Sequence, residues 1–365
     1  MIYLDNGATS LHKPETVKKA VLRAMARCGN PGRSGHGAAM EAAETVYNTR
    51  ELAGKLFRCP PEQVVFTTNC THGLNMALGS LVRPGMHVVI SGFEHNAVTR
   101  PLHAMGARIT VAGRKLFDWE DTLRDFRKGL EAGAELAVFT HASNVFGYIL
   151  PVEEMAALCR AYGVPFVMDA AQSAGSQPVD FTGLGAAFVA MPGHKGLLGP
   201  QGTGILLCKD TVKPLLYGGT GSQSRLQTMP EELPDRAEAG TLNVPGIAGL
   251  GAGLEYLLQE GVEKVGAREH RQAARCGAYL EKQGLRVFRG AHQGGTVSFV
   301  PDGDCEEFAA RLWGKGVAVR AGLHCAPLAH ESAGTPETGT VRISFGYNAN
   351  DRETDSFFRA MRSVH

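Results

Sequence analysis

Seven short apolar runs, most of them separated by helix-length segments, limit what this chain can fold into more than any other feature. They lie at 63–67, 87–91, 108–111, 136–140, 165–169, 186–190 and 204–208. Apolar runs of this length with helices between them predict mostly parallel strands that are buried on both faces. We therefore expect an α/β fold with helices on both sides of the sheet. In such folds the ligand site forms at the carboxyl ends of the strands.

The patterns also predict a larger and a smaller domain. Residues 13–245 contain the apolar runs, and we expect them to form a large ligand-binding domain. Residues 246–365, with the N-terminal segment 1–12, are expected to form a smaller α/β domain. The stretch 214–245 is rich in Gly, Pro, Ser and Thr and predicts a long functional loop. Other predicted elements are helices at 13–27, 39–57, 306–313 and 352–361, one or two helices over 244–283, and strands at 297–300, 317–320 and 340–345.

Charge and cysteine usage exclude several classes of protein. The formal net charge is +1, so the chain has no excess charge with which to hold nucleic acid or an anionic membrane. No run of 18 apolar residues occurs and the N-terminus does not have the pattern of a signal peptide, which together predict a cytoplasmic protein. The eight cysteines form no Cys-x-x-Cys pair, as expected of reduced thiols rather than of disulfides or a zinc site.

Three reactive side chains occur in an order that suggests a specific chemistry. Asp169 ends a predicted strand, Lys195 follows in a Gly-His-Lys segment, and Cys325 lies far downstream in Arg-Ala-Gly-Leu-His-Cys-Ala. A Schiff-base amine, an acid that keeps a pyridine nitrogen protonated and a nucleophilic sulfur are the parts of a pyridoxal 5'-phosphate (PLP) enzyme that acts on sulfur. Singly, Lys195 could be a surface lysine and Asp169 a helix cap. The prediction depends on the order of the three.

Side chains near other strand ends could complete a cofactor site. Thr71 and His72 open a predicted helix, and Thr71 as its N-cap would leave backbone N–H groups pointing at a phosphate. Gln172 follows Asp169 and could donate to the phenolate oxygen of PLP. His95 follows the strand at 87–91 and could stack on the cofactor ring and shuttle a proton as a catalytic residue. The alternatives are a plain helix cap at Thr71 and a structural histidine at 95.

Two further patterns suggest other sites but fit them poorly. Glycines at 249, 251 and 253 look like a dinucleotide-binding fingerprint. They follow Pro-Gly rather than a strand, which favours close helix packing. His324, Cys325 and His330 could suggest a metal, but a fourth ligand and a recognisable spacing are missing, so we predict no metal site.

Taken together, the motifs resemble those of the class V, fold-type I PLP enzymes, and within them the cysteine desulfurases and selenocysteine lyases. The resemblance covers nearly the whole chain. The segment around Cys325 is its most specific part and looks like the group II (SUF-type) desulfurases. The matching segments are 3–9, 33–36, 141–147, 169–172, 193–195, 238–241, 320–326 and 341–344.

The resemblance implies a role for each matching residue. Lys195 would hold PLP covalently, Asp169 would pair with the pyridine nitrogen, and His95 would stack on the ring. Cys325 would take the substrate sulfur as a persulfide, its thiolate favoured by His324 and Arg320. The other implied contacts are Gln172 with the phenolate oxygen, Thr71, His194 and a second subunit's Thr241 with the phosphate, Asn144 and Arg342 with the substrate carboxylate, and His36 and Arg320 near the substrate. His72 and Asn144 are also expected to contact the cofactor.

Two positions depart from the family pattern. Pro192 stands where many relatives have a serine that binds the phosphate, so the phosphate must depend more on backbone N–H groups, Thr71 and His194. Leu323 stands where some relatives have histidine, which removes an acid from that position.

The sequence thus predicts a homodimeric PLP-dependent cysteine desulfurase that converts L-cysteine to L-alanine and passes sulfur from Cys325 to a protein acceptor. The open alternatives are a selenocysteine lyase, a class V aminotransferase for which Cys325 would be incidental, and a non-catalytic sulfur-relay protein, against which Lys195 argues.

Overall fold

The computed structural model describes residues 1–32, 34–209 and 212–364. Within these residues there are thirteen strands and twelve α-helices. The strands are β1 Ile2–Tyr3, β2 Val64–Thr67, β3 His87–Ser91, β4 Arg108–Ala112, β5 Leu136–Thr140, β6 Phe166–Asp169, β7 Phe188–Pro192, β8 Gly204–Cys208, β9 Arg286–Phe288, β10 Thr296–Val300, β11 Val317–Ala318, β12 Arg320–Gly322 and β13 Thr340–Ser344. The helices are α1 Glu15–Arg27, α2 Gly37–Phe57, α3 Cys70–Leu81, α4 Asn96–Ala104, α5 Trp119–Glu131, α6 Val152–Tyr162, α7 Phe181–Leu184, α8 Val244–Glu260, α9 Val262–Lys282, α10 Cys305–Gly314, α11 Pro327–Ala333 and α12 Asp351–Met361.

A seven-stranded sheet with the order β2-β8-β7-β6-β5-β3-β4 forms the centre of residues 64–208. All of its pairs are parallel except the two made by β8, which is antiparallel to both neighbours. The prediction of a mostly parallel α/β sheet is therefore confirmed. The carboxyl ends of β5, β6 and β7 lie side by side, so Thr140, Asp169 and Pro192 come to one edge of the sheet.

Apolar side chains cover both faces of this sheet, which explains the continuous apolar runs in the sequence. Along β3, Val88 and Ile90 belong to one buried cluster, whereas Val89 between them belongs to another on the opposite face. The strand predicted at 186–190 lies at 188–192 and so ends in a proline. Pro192 lies beyond the end of the neighbouring β6, so its missing N–H removes no hydrogen bond from that pair.

The glycines of the 249–253 segment lie in α8 and permit close helix packing, as predicted. A Cβ atom on Gly249 would lie 2.6 Å from the Val21 side chain of α1, and one on Gly251 would lie 2.6 Å from Thr49 Oγ1 of α2. The loop predicted at 214–245 is irregular apart from one short 3-10 turn, Asp235–Ala237, and the start of α8.

The C-terminal part has its own small sheets and its own buried cluster. A four-stranded antiparallel sheet has the order β12-β13-β10-β9, and a separate parallel pair joins β1 to β11. The single strand predicted at 317–320 is wrong, because Val317–Ala318 pairs with the N-terminal segment and Arg320–Gly322 with β13. The domain division at residue 245 stays a prediction. In the described ranges, the helices are too short or too polar to cross a bilayer.

Candidate active site

Lys195 lies directly after β7 and lines an open cavity of about 520 Å³. The end of β5, the end of β6, the start of α3 and the loop before α4 supply the rest of the wall. The residues around the cavity are Asn69, Cys70, Thr71, His95, Ala97, Thr140, Ala142, Asn144, Asp169, Ala171, Gln172, Pro192, His194 and Lys195. The strand ends therefore bring most of the predicted cofactor contacts together.

The Asp169 carboxylate is almost fully buried, and one of its two oxygens is bound by neighbouring protein groups. Its Oδ1 accepts a hydrogen bond from the Ala171 N–H at 2.8 Å and lies 3.5 Å from Cys70 Sγ. Its Oδ2 has no hydrogen-bond partner among the described residues. One oxygen of the carboxylate is thus held by the protein, and the other is available to a ligand.

The Lys195 amine is partly buried and has no hydrogen-bond partner in the described parts of the chain. Burial lowers its pKa, and the negative charge of Asp169 opposes that shift. A larger fraction of the amine is therefore unprotonated at neutral pH than for a lysine in water, which suits a nucleophile or a base.

His95 is both a cavity residue and the N-cap of α4. Its Nδ1 accepts a hydrogen bond from the Ala97 N–H at 3.0 Å, so the neutral ring carries its proton on Nε2. Burial lowers its pKa, although Asp169 pulls in the opposite direction. The ring is therefore held in one orientation by the helix that it caps.

The start of α3 differs from the prediction. Asn69, not Thr71, is the N-cap: its Oδ1 accepts a hydrogen bond from the His72 N–H at 2.8 Å. Thr71 lies in the first turn and still lines the cavity. The His72 ring instead lies beside Thr68, with 3.2 Å between Nδ1 and Oγ1, so it is not part of the cavity wall.

His194 and Gln172 line the cavity but are bonded to the N-terminal segment. His194 Nδ1 lies 3.0 Å from Thr9 Oγ1, and burial, followed by the positive charge of Lys195, lowers its pKa to about 4. The Gln172 amide donates to Gly7 O at 3.0 Å. Both side chains are therefore neutral and fixed by residues 7–9.

Arg342 lies in the middle of β13 and is buried, and one of its three guanidinium nitrogens has no partner among the described residues. Its Nη2 donates to Asp5 Oδ1 at 2.6 Å and its Nη1 to Asn144 O at 2.9 Å. Arg342 Nε and Asn144 Oδ1 are both buried without a hydrogen-bond partner among the described residues. Buried polar atoms without partners are rare, so each of these two is a candidate for contact with a polar ligand.

Cys325 is the one exposed thiol among the described residues, and its loop is tied to the cavity wall. Its carbonyl accepts a hydrogen bond from the Asn96 N–H at 2.8 Å, and Asn144 Nδ2 donates to His324 O at 2.7 Å. Both His324 and Cys325 have positive φ angles, of 51° and 56°, a conformation that side chains other than glycine rarely adopt. The loop is held in this shape from both sides.

The two groups expected to favour a thiolate at Cys325 differ in their position. Arg320 Nη2 lies 4.0 Å from the Cys325 sulfur. The His324 ring faces the interior, where its Nε2 lies 3.2 Å from Thr340 O, and burial lowers its pKa to about 2. The expectation that His324 supplies positive charge is therefore wrong, and Arg320 is the nearby cation.

Two expected contacts lie elsewhere in the chain. His36 is exposed and caps α2, and Thr241 is exposed in the loop before α8, so neither lines the Lys195 cavity. A buried ion pair holds that loop: Arg50 of α2 bonds Glu238, whose Oε1 accepts from the Phe66 N–H of β2 at 2.6 Å. Arg33, from the same motif as His36, lies outside the described residues.

Three residues at the site carried no assignment from the sequence. Asp5 holds Arg342, Cys70 touches Asp169, and Glu94 is completely buried beside His95. Glu94 Oε1 accepts hydrogen bonds from the Ser91 hydroxyl and from the Thr140 N–H, and burial raises the Glu94 pKa to about 8. The one feature of the sequence that could have indicated Glu94 is its position directly before His95, just after a strand end.

Comparison with known proteins agrees with this geometry. The family model for aminotransferase class-V proteins matches residues 2–357. The chain belongs to the aminotransferase class-V family.

Curated relatives and solved structures match this chain over nearly its full length. A probable cysteine desulfurase from Pyrococcus abyssi is 32% identical, over 100% of this chain and 94% of the relative. A probable cysteine desulfurase from Methanothermobacter thermautotrophicus is 29% identical, over 96% of this chain and 92% of the relative. The apo structure of a cysteine desulfurase from Thermococcus onnurineus superposes with a TM-score of 0.91 at 31% identity, covering 100% of this chain and 94% of the other.

Proposed function

We propose that this protein is a PLP-dependent cysteine desulfurase. The observation that carries the proposal is the arrangement at the strand ends. The Lys195 amine and Asp169 Oδ2, both without a hydrogen-bond partner among the described residues, share one cavity, and the exposed Cys325 is tied to its wall. The similarity to proteins named as cysteine desulfurases supports the same activity.

The residues of the cavity fit the aldehyde, the pyridine nitrogen and the phosphate of PLP, and Gln172 would donate to its phenolate oxygen. Lys195 would hold the aldehyde carbon, and Asp169 Oδ2 would accept from the pyridine nitrogen. The first turn of α3, with Thr71, and His194 would bind the phosphate, because the N-terminus of a helix favours an anion. Arg342 Nε is a buried donor without a partner among the described residues, so it could donate to the carboxylate of an amino acid. Asn144 would contact that carboxylate through Nδ2, which here donates to His324 O. PLP supplies an electron sink for a carbanion when it is bound.

The protein's own residues would then move a proton and a sulfur atom. The Lys195 amine removes the Cα proton of L-cysteine, and its lowered pKa suits that role. The Cys325 thiolate, beside Arg320, attacks the substrate sulfur. The C–S bond breaks and its electron pair stays on Cβ. One proton added at Cβ, and the proton that Lys195 returns to Cα, complete L-alanine. Cys325 keeps the sulfur as a persulfide, so no external oxidant or reductant is needed.

We also propose a homodimer and a protein that accepts the sulfur. Thr241 is exposed on a loop that is held firmly by Glu238, and a second chain's cavity is the partner that the family resemblance suggests for it. The exposure of Cys325 leaves its persulfide open to a visiting thiol. His36 and Arg320 would lie near the substrate in that assembly.

The test is reductive trapping with a competing amine as control. Lys13 is also partly buried, and burial lowers its pKa to about 8, but its Nζ donates to Ser10 Oγ at 2.6 Å and to His194 O at 2.9 Å. Borohydride reduction of the yellow protein should place the PLP adduct on Lys195 in the wild type and in Lys13→Gln, and give no adduct in Lys195→Ala. Trapping on Lys13 would contradict the assignment.

A product assay with L-cysteine completes the test. The expected products are L-alanine and a protein with one added sulfur on Cys325, identified by mass spectrometry. A keto acid would indicate an aminotransferase, and activity with selenocysteine alone would indicate a selenocysteine lyase.

A further inference from the structure

The side chain of Cys70 contacts the carboxylate that faces the cofactor cavity. Cys70 is the first residue of α3, and its side chain is buried between that helix and the end of β6. Its Sγ lies 3.5 Å from Asp169 Oδ1, a normal distance for a hydrogen bond that involves sulfur. The same oxygen already accepts the Ala171 N–H at 2.8 Å.

The direction of this hydrogen bond follows from the chemistry of the two groups. A carboxylate can only accept, so the thiol must donate. Burial and the negative charge of Asp169 raise the Cys70 pKa well above its ordinary value, which keeps the proton on sulfur. The thiol is therefore a poor nucleophile and a persistent donor.

We infer that Cys70 is a positioning residue for Asp169: its S–H and the Ala171 N–H together fix Oδ1 and so orient Oδ2 for the cofactor ring. This inference rests on the proposed function, because the ring nitrogen of PLP is the group that Oδ2 would meet. Two donors from different elements, one from α3 and one from the turn after β6, restrict the rotation of the carboxylate in a way that one donor does not.

A sulfur carrier and a plain packing residue are the two roles that fit Cys70 less well. As a sulfur carrier it would need an accessible thiolate, whereas its thiol is buried and committed to Asp169. As a packing residue it would need no donor, and any side chain of similar size would replace it. A replacement of Cys70 that keeps a hydrogen-bond donor and one that lacks a donor should therefore behave differently if Cys70 positions Asp169, and alike if it only packs.

The experiment compares Cys70→Ser, Cys70→Ala and the control Cys276→Ala. Cys276 is a fully buried thiol in an apolar cluster of the C-terminal part, far along the chain from the cavity residues, with no hydrogen-bond partner among the described residues. Two quantities are measured for each protein: the Kd of PLP, from titration of the cofactor-free protein, and the pH midpoint of the absorbance change of lysine-bound PLP. Thermal unfolding reports on folding, and Cys70→Val replaces Cys70→Ala if the latter does not fold.

Cys70→Ser retains a donor and should keep both quantities close to wild type, within about twofold in Kd. Cys70→Ala should weaken PLP binding roughly fivefold, the size expected for the loss of one ordinary hydrogen bond, and should move the spectral midpoint. Cys276→Ala should change the unfolding temperature but neither of the other two quantities.

The inference is overturned if Cys70→Ala binds PLP with wild-type affinity and midpoint, or if Cys70→Ser behaves like Cys70→Ala. Either result would come from proteins that hold PLP on Lys195, and would leave the proposed function intact. Failure of the wild type to bind PLP on Lys195 would overturn the proposed function and this inference together.

Discussion

Arg342 and Asp5 form an ion pair across 337 positions of sequence, with 2.6 Å between Nη2 and Oδ1. Arg342 is 1% exposed and Asp5 21% exposed, so the N-terminal segment closes over the arginine. This contact gives Asp5 a function that its place in the 3–9 motif did not reveal: it fixes the guanidinium that we propose for the substrate carboxylate.

Asp5→Asn should therefore raise the KM for L-cysteine about tenfold, with a smaller change in kcat. It should also lower the free energy of unfolding by about 2 kcal/mol, because a buried arginine loses its charged partner. Steady-state kinetics and urea unfolding measure the two effects. The control is Glu15→Gln, which removes the exposed pair with Lys18 and should change neither. An unchanged KM in Asp5→Asn would show that the pair is only structural.

Replacement of Cys325 should separate sulfur transfer from cofactor binding. Cys325→Ser should keep lysine-bound PLP but lose alanine production by about 100-fold, because the attacking thiolate is gone. Loss of activity with selenocysteine should be much smaller, since selenium leaves more readily than sulfur. Alanine release from both substrates is the measurement. Cys28→Ser, at a half-buried thiol outside the cavity, should behave like wild type. A persulfide that still forms in Cys325→Ser would contradict the mechanism.

Mixed dimers should test the proposed role of Thr241. Co-expressed Lys195→Ala and Thr241→Ala chains should give heterodimers with one intact site, formed by Lys195 of one chain and Thr241 of the other. Each homodimer should be weakly active or inactive, whereas the purified heterodimer should reach roughly half of the wild-type activity. Absence of any recovery in verified heterodimers would place the Thr241 contact within a single chain.

The buried Glu94 should make the protein less stable as the pH rises. Its pKa is raised to about 8 from an ordinary value of 4.5, so between these pH values the folded protein holds a proton that the unfolded chain has lost. The stabilisation is complete below the lower value and falls by about 1.4 kcal/mol per pH unit up to the higher one. Glu269, whose pKa burial also raises to about 8, contributes in the same direction.

Glu94→Gln should thus reduce the slope of unfolding free energy against pH between 5 and 8 by about one proton's contribution, without abolishing it. Urea unfolding at several pH values measures the slope. Glu62→Gln, at an exposed position, is the matched control and should leave it unchanged. An identical slope in wild type and Glu94→Gln would mean that Glu94 is ionised in the folded protein.

The large sheet was predictable because its strands are apolar on both faces. Each strand therefore appears in the sequence as a continuous apolar run, which can be recognised without knowing the strands that pair with it. Strands β1 and β9 were missed, and β11 and β12 were merged into one predicted strand, since two or three residues are too short to show a period. Lys195 and Asp169 could be placed from their position after strand ends. The N-cap at Asn69 was missed because several residues near a helix start can cap it, and only the backbone geometry decides between them.

The sequence could not predict contacts between distant segments or the orientation of the His324 imidazole ring. Nothing in the order of residues brings Asp5 to Arg342 or Cys70 to Asp169. His324 precedes Cys325 directly, which suggested a shared site, but the positive φ angles of the two residues turn the imidazole towards Thr340. Adjacency in sequence therefore predicted proximity of the backbone and not of the functional groups.

The Arg50–Glu238 pair bears on the order in which a dimer could assemble. Three elements of the same chain meet at this pair: Arg50 on α2, Glu238 on the loop, and Phe66 on the strand that leads towards Thr71. The contacts that hold the loop carrying Thr241 therefore do not require a second chain. In the homodimer that we propose, the loss of loop entropy would fall on folding and not on association, and the two chains would meet as preformed surfaces with little rearrangement.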